Sequence, residues 1–201
     1  ICHIYADEDA ILEKACDIII DSKCQYPSAC NAVETVLVND KIKQEFIPIL
    51  FGKLKSNGVT INSDRVIAED YKGFVSEIVE DWHKEYGDKI ISVKIVHDLD
   101  EAIAHINKYG SGHTDCIVTE NDETAEKFMT FVDSAGVYKN ISTRFADGFR
   151  YGFGAEVGIS TNKTHARGPV GLEGLTIYKY KLFGNGDIVS DFISGKRKFN
   201  K

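Results

Sequence analysis

Hydrophobic and polar positions alternate between two patterns over the first 140 residues of the chain. Short continuous apolar runs are typical of strands covered on both faces, and they predict strands at about 1–5, 33–38, 59–61, 90–96, 114–119 and 135–138. Between these runs, apolar residues recur at helical spacing and predict helices at about 11–22, 41–56, 70–82, 99–109 and 122–132. The alternation predicts an α/β fold, with an open, mostly parallel twisted sheet and helices on both faces.

Three polar residues stand where helices are expected to begin. Asp40, Asp98 and Asn121 each precede an apolar pattern of helical period. Their short side chains can accept hydrogen bonds from the free backbone N–H groups of a first turn, so each is predicted to be an N-cap. The pair Asn57-Gly58 is typical of a helix end.

The pattern changes near Arg144. Residues 144–175 contain seven glycines, which favours tight turns and close backbone approaches. Residues 176–183 alternate apolar and polar side chains and predict a half-exposed strand, which could add to the sheet of a partner subunit. We therefore expect an α/β domain at 1–143, a Gly-rich loop region at 144–175, and a C-terminal strand and tail at 176–201.

Composition and charge argue against several classes of function. The chain has 201 residues, of which 43% are hydrophobic and 27% charged, and its formal net charge of −7 argues against a nucleic-acid surface or a polybasic membrane anchor. No apolar run has the length of a transmembrane helix, and no signal peptide is visible. The five cysteines include no CxxC pair, so we expect free thiols in a reducing compartment and no structural zinc site.

A cysteine among small residues separates the first predicted helix from the second predicted strand. Pro27 ends the helix and favours extended geometry before it, and Ser28 and Ala29 leave room beside Cys30. A short, open connection of this kind presents a thiol to a substrate. A single cysteine before a strand is also often a small buried hydrophobe. The residues alone leave both interpretations of Cys30 open.

Five ordered blocks of sequence point to one enzyme family. They are YPSACNAVET at 26–35, GHTDCIVTE at 112–120, NISTRFADG at 140–148, FGAEVGIS at 153–160 and HARGPVGL at 165–172. Through these blocks the chain resembles gamma-glutamyl phosphate reductase (glutamate-5-semialdehyde dehydrogenase), a specialised branch of the aldehyde dehydrogenase superfamily. The resemblance covers most of the chain, and blocks of this length are more specific than a short motif.

The resemblance implies an aldehyde-dehydrogenase-like catalytic domain at 1–143 and a defined reaction. Members of this family reduce L-glutamate 5-phosphate with NADPH to L-glutamate 5-semialdehyde and release phosphate, through a cysteine thioester, in proline biosynthesis. The C-terminal strand is then expected to serve in a homo-oligomer. The family's N-terminal nucleotide-binding domain is expected to lie outside these residues, which match the catalytic and C-terminal parts.

The resemblance also bears on partners and compartment. It implies a small-molecule substrate, no nucleic acid, no membrane, and a glutamate 5-kinase as a partner or as a fused domain. A similar module forms the C-terminal part of bifunctional pyrroline-5-carboxylate synthases. A cytoplasmic enzyme is expected from the monofunctional forms, and a mitochondrial one if the module comes from a bifunctional synthase.

The resemblance assigns Cys30 as the nucleophile, with its own backbone N–H helping to hold the oxyanion. Glu85 stands where the superfamily places a glutamate that contacts the nicotinamide ribose, and a solvated glutamate before a strand is the alternative. His113 is interpreted as structural. Glu34 and Glu156 are not assigned as general bases, because this reaction has no hydrolysis step. No metal ligand is expected.

Arg144, Arg167 and His165 are the residues implied for substrate binding. Guanidinium groups bind phosphate or carboxylate in a two-pronged way, and histidine titrates near neutrality. The alternatives are ion pairs that hold the glycine-rich loop in the case of the arginines, and a structural hydrogen bond in the case of His165.

Two other functions stay open. The isolated chain could be a non-enzymatic module that associates through residues 176–183 and binds no cofactor, or a catalytically incompetent fragment. It could also be a different thioester-forming aldehyde dehydrogenase, against which the blocks at 153–160 and 165–172 argue.

Overall fold

A parallel sheet of seven strands forms the centre of the molecule. The structure, a computed structural model, describes residues 1–199. Its strands are β1 (Cys2–Ala6), β2 (Val33–Asn39), β3 (Thr60–Ser63), β4 (Val75–Ile78), β5 (Ile90–Val96), β6 (Thr114–Val118) and β7 (Gly136–Lys139). Their order is β4-β3-β5-β2-β1-β6-β7, and every neighbouring pair is parallel. The predicted fold class is confirmed.

Helices cover both faces of this sheet. They are α1 (Leu12–Cys24), α2 (Lys43–Ser56), α3 (Arg65–Asp70), α4 (Leu99–Tyr109) and α5 (Asp122–Phe131). Helices α1, α2 and α3 bury their apolar side chains against one face, with Phe46 and Leu50 fully buried. Helices α4 and α5 bury theirs against the other face, where Phe128 packs with Tyr5. Two cores, one on each side, therefore hold the sheet rigidly in place.

Two of the three predicted caps are confirmed. The Asp98 side chain accepts from the Glu101 N–H, and the Asn121 side chain accepts from two N–H groups of the first turn of α5. The cap predicted at Asp40 is wrong. Helix α2 begins after Ile42, which makes no side-chain cap, and the Asp40 carboxylate accepts instead from Lys43 Nζ at 2.5 Å.

The helix predicted at 70–82 is also wrong. A short helix, α3, lies earlier in the chain. Asp64 is its N-cap, and the Asp64 side chain accepts from the Ile67 N–H at 2.9 Å. Strand β4 follows and pairs with β3 at the edge of the sheet. Gly73 weakens a helix at this point, and the backbone pairing offered by β3 outweighs the local apolar pattern.

The chain leaves the core after Ala146. Strands β8 (Gly158–Ser160) and β9 (Gly168–Val170) form a small antiparallel pair. The strand predicted at 176–183 is absent from both sheets of the described residues, and Ile177 and Phe183 are 98% and 94% exposed. Its pairing with a partner subunit stays a prediction. The predicted tail contains a short helix, α6 (Val189–Ile193).

Among residues 1–199, no helix combines the length and the apolar character that a membrane crossing requires.

Candidate active site

The loop between α1 and β2 presents Cys30 at the surface. Helix α1 ends at Cys24, and Pro27 prevents it from continuing. Two tight turns follow, closed by the Ala29 N–H to the Tyr26 carbonyl at 3.2 Å and the Ala32 N–H to the Ala29 carbonyl at 2.9 Å. Strand β2 then begins at Val33. Cys30 is exposed at the amino-terminal edge of the sheet, so the interpretation of this residue as a buried hydrophobe is wrong.

A segment from the NISTRFADG block holds this loop in place. Asn31 Nδ2 donates to the Ala146 carbonyl at 2.8 Å, and the Thr143 hydroxyl donates to the Asn31 carbonyl at 2.7 Å. The Thr143 N–H in turn donates to the Ser22 hydroxyl of α1 at 3.1 Å. These contacts are buried, so the residue next to the thiol is fixed from two sides.

His113 lies directly against the thiol. It immediately precedes β6, and its Nε2 is 3.2 Å from Cys30 Sγ. Its other ring nitrogen, Nδ1, is 2.9 Å from the Thr114 hydroxyl, a buried contact. The imidazole is therefore oriented by its neighbour in the chain and points its free nitrogen at the sulfur.

The surroundings keep both groups neutral near pH 7. Burial raises the pKa of the Cys30 thiol, and the negative charges of Glu85 and Glu156 act in the same direction, while its own backbone N–H opposes them. Burial lowers the pKa of His113 to about 4, although Asp115 and Glu85 act against this. The resting pair is a thiol beside a neutral imidazole.

Close backbone packing sets the position of Glu156. Its Oε2 accepts from the Gly148 N–H at 2.9 Å. A Cβ at position 148 would lie 2.5 Å from the Gly154 carbonyl oxygen, so this turn requires glycine. The Gly-rich region thus brings a carboxylate close enough to influence the Cys30 thiol, which explains part of the density of glycines.

A buried ion pair holds the loop that carries Glu85. Lys23 Nζ is 3.0 Å from Glu34 Oε2, and both side chains are almost fully buried. Glu34 also accepts from the Tyr86 and Gly87 N–H groups, and Lys23 donates to the Asp88 carbonyl at 3.1 Å. Glu85 itself is exposed, and its charge reaches both the Cys30 thiol and His113.

Arg144 lies on the other side of the cysteine loop. Its Nε donates to Gln25 Oε1 at 2.8 Å, and its guanidinium stands 5.7 Å from the centre of the Tyr26 ring. Burial and the neighbouring Arg150 lower its pKa, whereas the Cys30 sulfur raises it. Glu85 and Arg144 therefore each lie close enough to Cys30 to interact with it electrostatically.

Arg167 and His165 are placed differently. Arg167 lies exposed in the loop between β8 and β9, directly before β9. Its Nη2 is 3.2 Å from the Asp133 carboxylate. This is the ion pair that the sequence left open as an alternative. His165 is exposed, and no contact in the described part of the chain joins it or Arg167 to Cys30. The role of both in substrate binding stays a prediction.

Metal-ligating side chains do not gather at this site. Within residues 1–199, no three His, Cys, Asp or Glu side chains are arranged to hold a metal ion.

Known proteins are similar in sequence to this chain over nearly its whole length. No family model matches the chain. The gamma-glutamyl phosphate reductase of Brachyspira hyodysenteriae is 62% identical over 199 residues, which are 99% of this chain and 46% of the relative. The predicted resemblance is confirmed. The chain spans just under half the length of the curated gamma-glutamyl phosphate reductases that it matches.

Solved structures share the fold. The crystal structure of gamma-glutamyl phosphate reductase from Thermotoga maritima matches with a TM-score of 0.87 and 48% identity, over 93% of this chain and 45% of that one. An acetylating aldehyde dehydrogenase from Geobacillus thermoglucosidasius matches with a TM-score of 0.65 and 20% identity, over 93% of this chain and 51% of that one. The second match extends the likeness of fold to aldehyde dehydrogenases.

Sequence reasoning did not assign a role at the thiol to His113. The residue lies in the GHTD block by which the chain resembles gamma-glutamyl phosphate reductase, yet 83 positions separate it from Cys30. The sequence feature that could have indicated a role for His113 at the site is its position directly before a buried strand. Parallel neighbours β1, β2 and β6 bring the starts of their strands together, and with them these two residues.

Proposed function

We propose that the protein reduces L-glutamate 5-phosphate to L-glutamate 5-semialdehyde, with release of phosphate, as a gamma-glutamyl phosphate reductase of proline biosynthesis. The observation that carries this proposal is the exposed Cys30 thiol in contact with His113, in a chain that is 62% identical to such an enzyme. We propose NADPH as the reductant.

Cysteine chemistry supports this reaction. An acyl phosphate is an activated carbonyl compound with a good leaving group, and a thiol that adds to it displaces phosphate and forms a thioester. The backbone N–H of Cys30 lowers the pKa of its own thiol and so favours negative charge beside the sulfur, and we propose that it also helps to hold the oxyanion. The turns at 26–32 leave the sulfur accessible from solvent.

The residues present fit a nicotinamide cofactor. Glu85 is an exposed carboxylate close enough to Cys30 to influence the thiol, and a carboxylate can accept hydrogen bonds from two ribose hydroxyls. The Lys23–Glu34 pair holds this loop in one position. When bound, the cofactor supplies a hydride to the thioester carbon. Glu85 would hold its ribose so that the ring faces Cys30.

Substrate charge is expected to be met by guanidinium groups. Arg144 is the arginine that lies near Cys30, and one face of it is already held by Gln25 and Tyr26. Its remaining N–H groups can bind phosphate or carboxylate. Arg167 would have to leave Asp133 to do the same.

The test is a substitution of the nucleophile in the protein at its natural length. Cys30→Ser is expected to reduce semialdehyde formation by about 10⁴-fold or more, since a hydroxyl is a much weaker nucleophile and a poorer leaving group than a thiol. The control is Cys24→Ser, which makes the same change at a half-buried cysteine of the same connection and should retain activity. Turnover by Cys30→Ser comparable to that of the control would contradict the proposal.

We also propose a homo-oligomer. The segment 176–183 exposes its apolar side chains, with Ile177, Leu182 and Phe183 each at least 89% exposed. Surfaces of this kind mark association sites. A glutamate 5-kinase that supplies the acyl phosphate and a cytoplasmic location remain predictions.

A further inference from the structure

We propose that His113 is the proton acceptor for the Cys30 thiol, and so a second catalytic residue beside the nucleophile. This inference rests on the proposed function, since it concerns the step in which the thiol attacks the acyl carbon. It corrects the interpretation of His113 as purely structural.

The geometry of the pair carries the inference. Nε2 of His113 lies 3.2 Å from Cys30 Sγ, a distance suited to a hydrogen bond with sulfur. Nδ1 lies 2.9 Å from the Thr114 hydroxyl, which can accept the Nδ1 proton. In that tautomer Nε2 has its lone pair free and directed at the S–H group. The contact with Thr114 thus prepares the nitrogen that faces the thiol as the acceptor.

The thiol needs such an acceptor. Burial and the nearby Glu85 and Glu156 carboxylates raise the pKa of Cys30, so the thiolate is scarce at pH 7. Burial keeps His113 neutral at the same pH, with a pKa of about 4, and so in its accepting form. A neutral pair at rest reacts by moving the proton during the attack rather than before it.

Charged and titratable groups surround the imidazole on several sides. Asp115 and Glu85 raise the pKa of His113, against the effect of its burial. The Cys2 thiol lies 3.8 Å from Nδ1. The two carboxylates would stabilise the imidazolium that forms transiently, and so partly offset the burial that disfavours it.

The step balances as follows. The sulfur forms its bond to the acyl carbon while the S–H bond breaks, the proton moves to Nε2 and the π pair of the carbonyl moves onto its oxygen. The carbonyl then re-forms as the C–O bond to phosphate breaks, and phosphate leaves with the electron pair of that bond. The imidazolium passes its proton to the departing phosphate and becomes neutral again. No oxidant or reductant takes part.

Alkylation of the 201-residue chain by iodoacetamide tests the proton transfer without substrate or cofactor. The rate at Cys30 is measured by peptide mass spectrometry between pH 6 and 10, with Cys24 of the same chain as internal reference. In the unmodified chain we expect Cys30 to react near pH 7 faster than its thiolate fraction alone allows, and to react more slowly in D₂O, because a proton moves in the rate-limiting step.

Two variants separate catalysis from structure. His113→Gln keeps a hydrogen-bonding group near the sulfur and cannot accept a proton, and His113→Asn keeps a partner for Thr114 but leaves the sulfur without one. Each is expected to slow the Cys30 reaction at least about tenfold at pH 7, a threshold set below the roughly 10²- to 10⁴-fold typical of general acid–base catalysis. The loss should disappear at pH 10, where the thiolate attacks directly. His97→Gln makes the same change at an exposed histidine and should leave the profile unchanged.

Several results would overturn the inference. A rate loss of the same size at every pH would mean that His113 only positions the loop. Equal rates in H₂O and D₂O for the unmodified chain would exclude a moving proton, and this measurement stands even if both variants fail to fold. None of these readouts depends on the identity of the substrate, so loss of semialdehyde formation and loss of the pH effect can be told apart.

Discussion

Two parts of this molecule, residues 1–147 and residues 148–199, differ sharply in how they are packed. The first part contains every buried large apolar side chain of the described residues, on the two faces of one sheet. The second part leaves its apolar side chains largely in solvent, from Phe149 at 73% exposed to Phe199 at 81%. Cys30, His113 and Glu85 all lie in the first part.

The difference separates the nucleophile from part of the expected substrate site. The thiol, its imidazole neighbour and the Glu85 loop are held by buried contacts of the sheet and its helices. Arg167 and His165 lie in the second part, which has few buried contacts of its own. The chemistry of the thiol is therefore built into the stable part, whereas the second part needs further surface to cover it.

The largest difference in unfolding free energy should come from replacing one phenylalanine by alanine in each of the two parts. Phe46→Ala removes a fully buried ring from α2 and is expected to lower the free energy of unfolding by about 3–5 kcal/mol. Phe183→Ala removes a ring that is 94% exposed and should change it by less than about 0.5 kcal/mol. Urea unfolding followed by circular dichroism measures both. Equal losses would mean that residues 176–183 pack on the body in solution.

A comparable loss of unfolding free energy is expected when the buried ion pair of Lys23 and Glu34 is broken. Lys23→Met leaves the Glu34 carboxylate buried without its partner and should cost about 3–5 kcal/mol of unfolding free energy. Adding Glu34→Leu removes the unpaired charge and should recover much of the loss. Lys41→Met, which breaks an exposed pair with Glu8, serves as control and should leave the unfolding midpoint unchanged. If Lys23→Met behaved like the control, the pair would not be holding the Glu85 loop.

A smaller change in the free energy of unfolding is expected when the pH is lowered. Burial lowers the pKa of His105 to about 3, below the 6.5 of an unfolded histidine. Between these values the unfolded chain binds more protons, so the free energy of unfolding falls as the pH is lowered from 6.5 to 5, by about 1.6 kcal/mol for this residue. His105→Phe, which suits the surrounding rings of Trp82 and Tyr109, should reduce the difference between urea unfolding at pH 6.5 and pH 5.

The control variant for this prediction changes a histidine in residues 148–199. His165→Phe changes an exposed histidine, and its effect on the same pH difference should be the smaller of the two. A larger effect at His165 would mean that the loop between β8 and β9 is buried in solution.

Local patterns predicted most of the first part. The continuous apolar run at 90–96 became β5 with the same bounds, and the caps at Asp98 and Asn121 form as expected, because each depends on residues a few positions apart. The prediction failed at 70–82, where the pairing of β4 with β3 decides the structure. At 176–183 the alternation predicts a strand that pairs with a partner subunit, and this stays a prediction, because no strand of this chain lies alongside it among the described residues.

The candidate site was predicted only in part for a related reason. The block around Cys30 predicted the exposed thiol that we propose as the nucleophile, since the signal lies within ten residues. In most open α/β sheets ligands bind beyond the carboxyl ends of the strands. Here Cys30, Glu85 and His113 instead precede β2, β5 and β6, so their meeting depends on strand order, which no local pattern contains.

The direction of the helices has a further consequence for this edge of the sheet. Helix α1 ends at Cys24 and α4 ends at Tyr109, each shortly before a residue of the site, because these helices run opposite to the strands they join. The aligned peptide dipoles of a helix place about half a negative elementary charge at its carboxyl end. These helix ends therefore disfavour a phosphate or another anion close to their last turn, although the backbone N–H of Cys30 favours the thiolate. Enzymes that bind phosphate at helix amino ends use the opposite polarity. In this protein an anionic substrate would have to be held by side chains such as Arg144, against the field of the main chain.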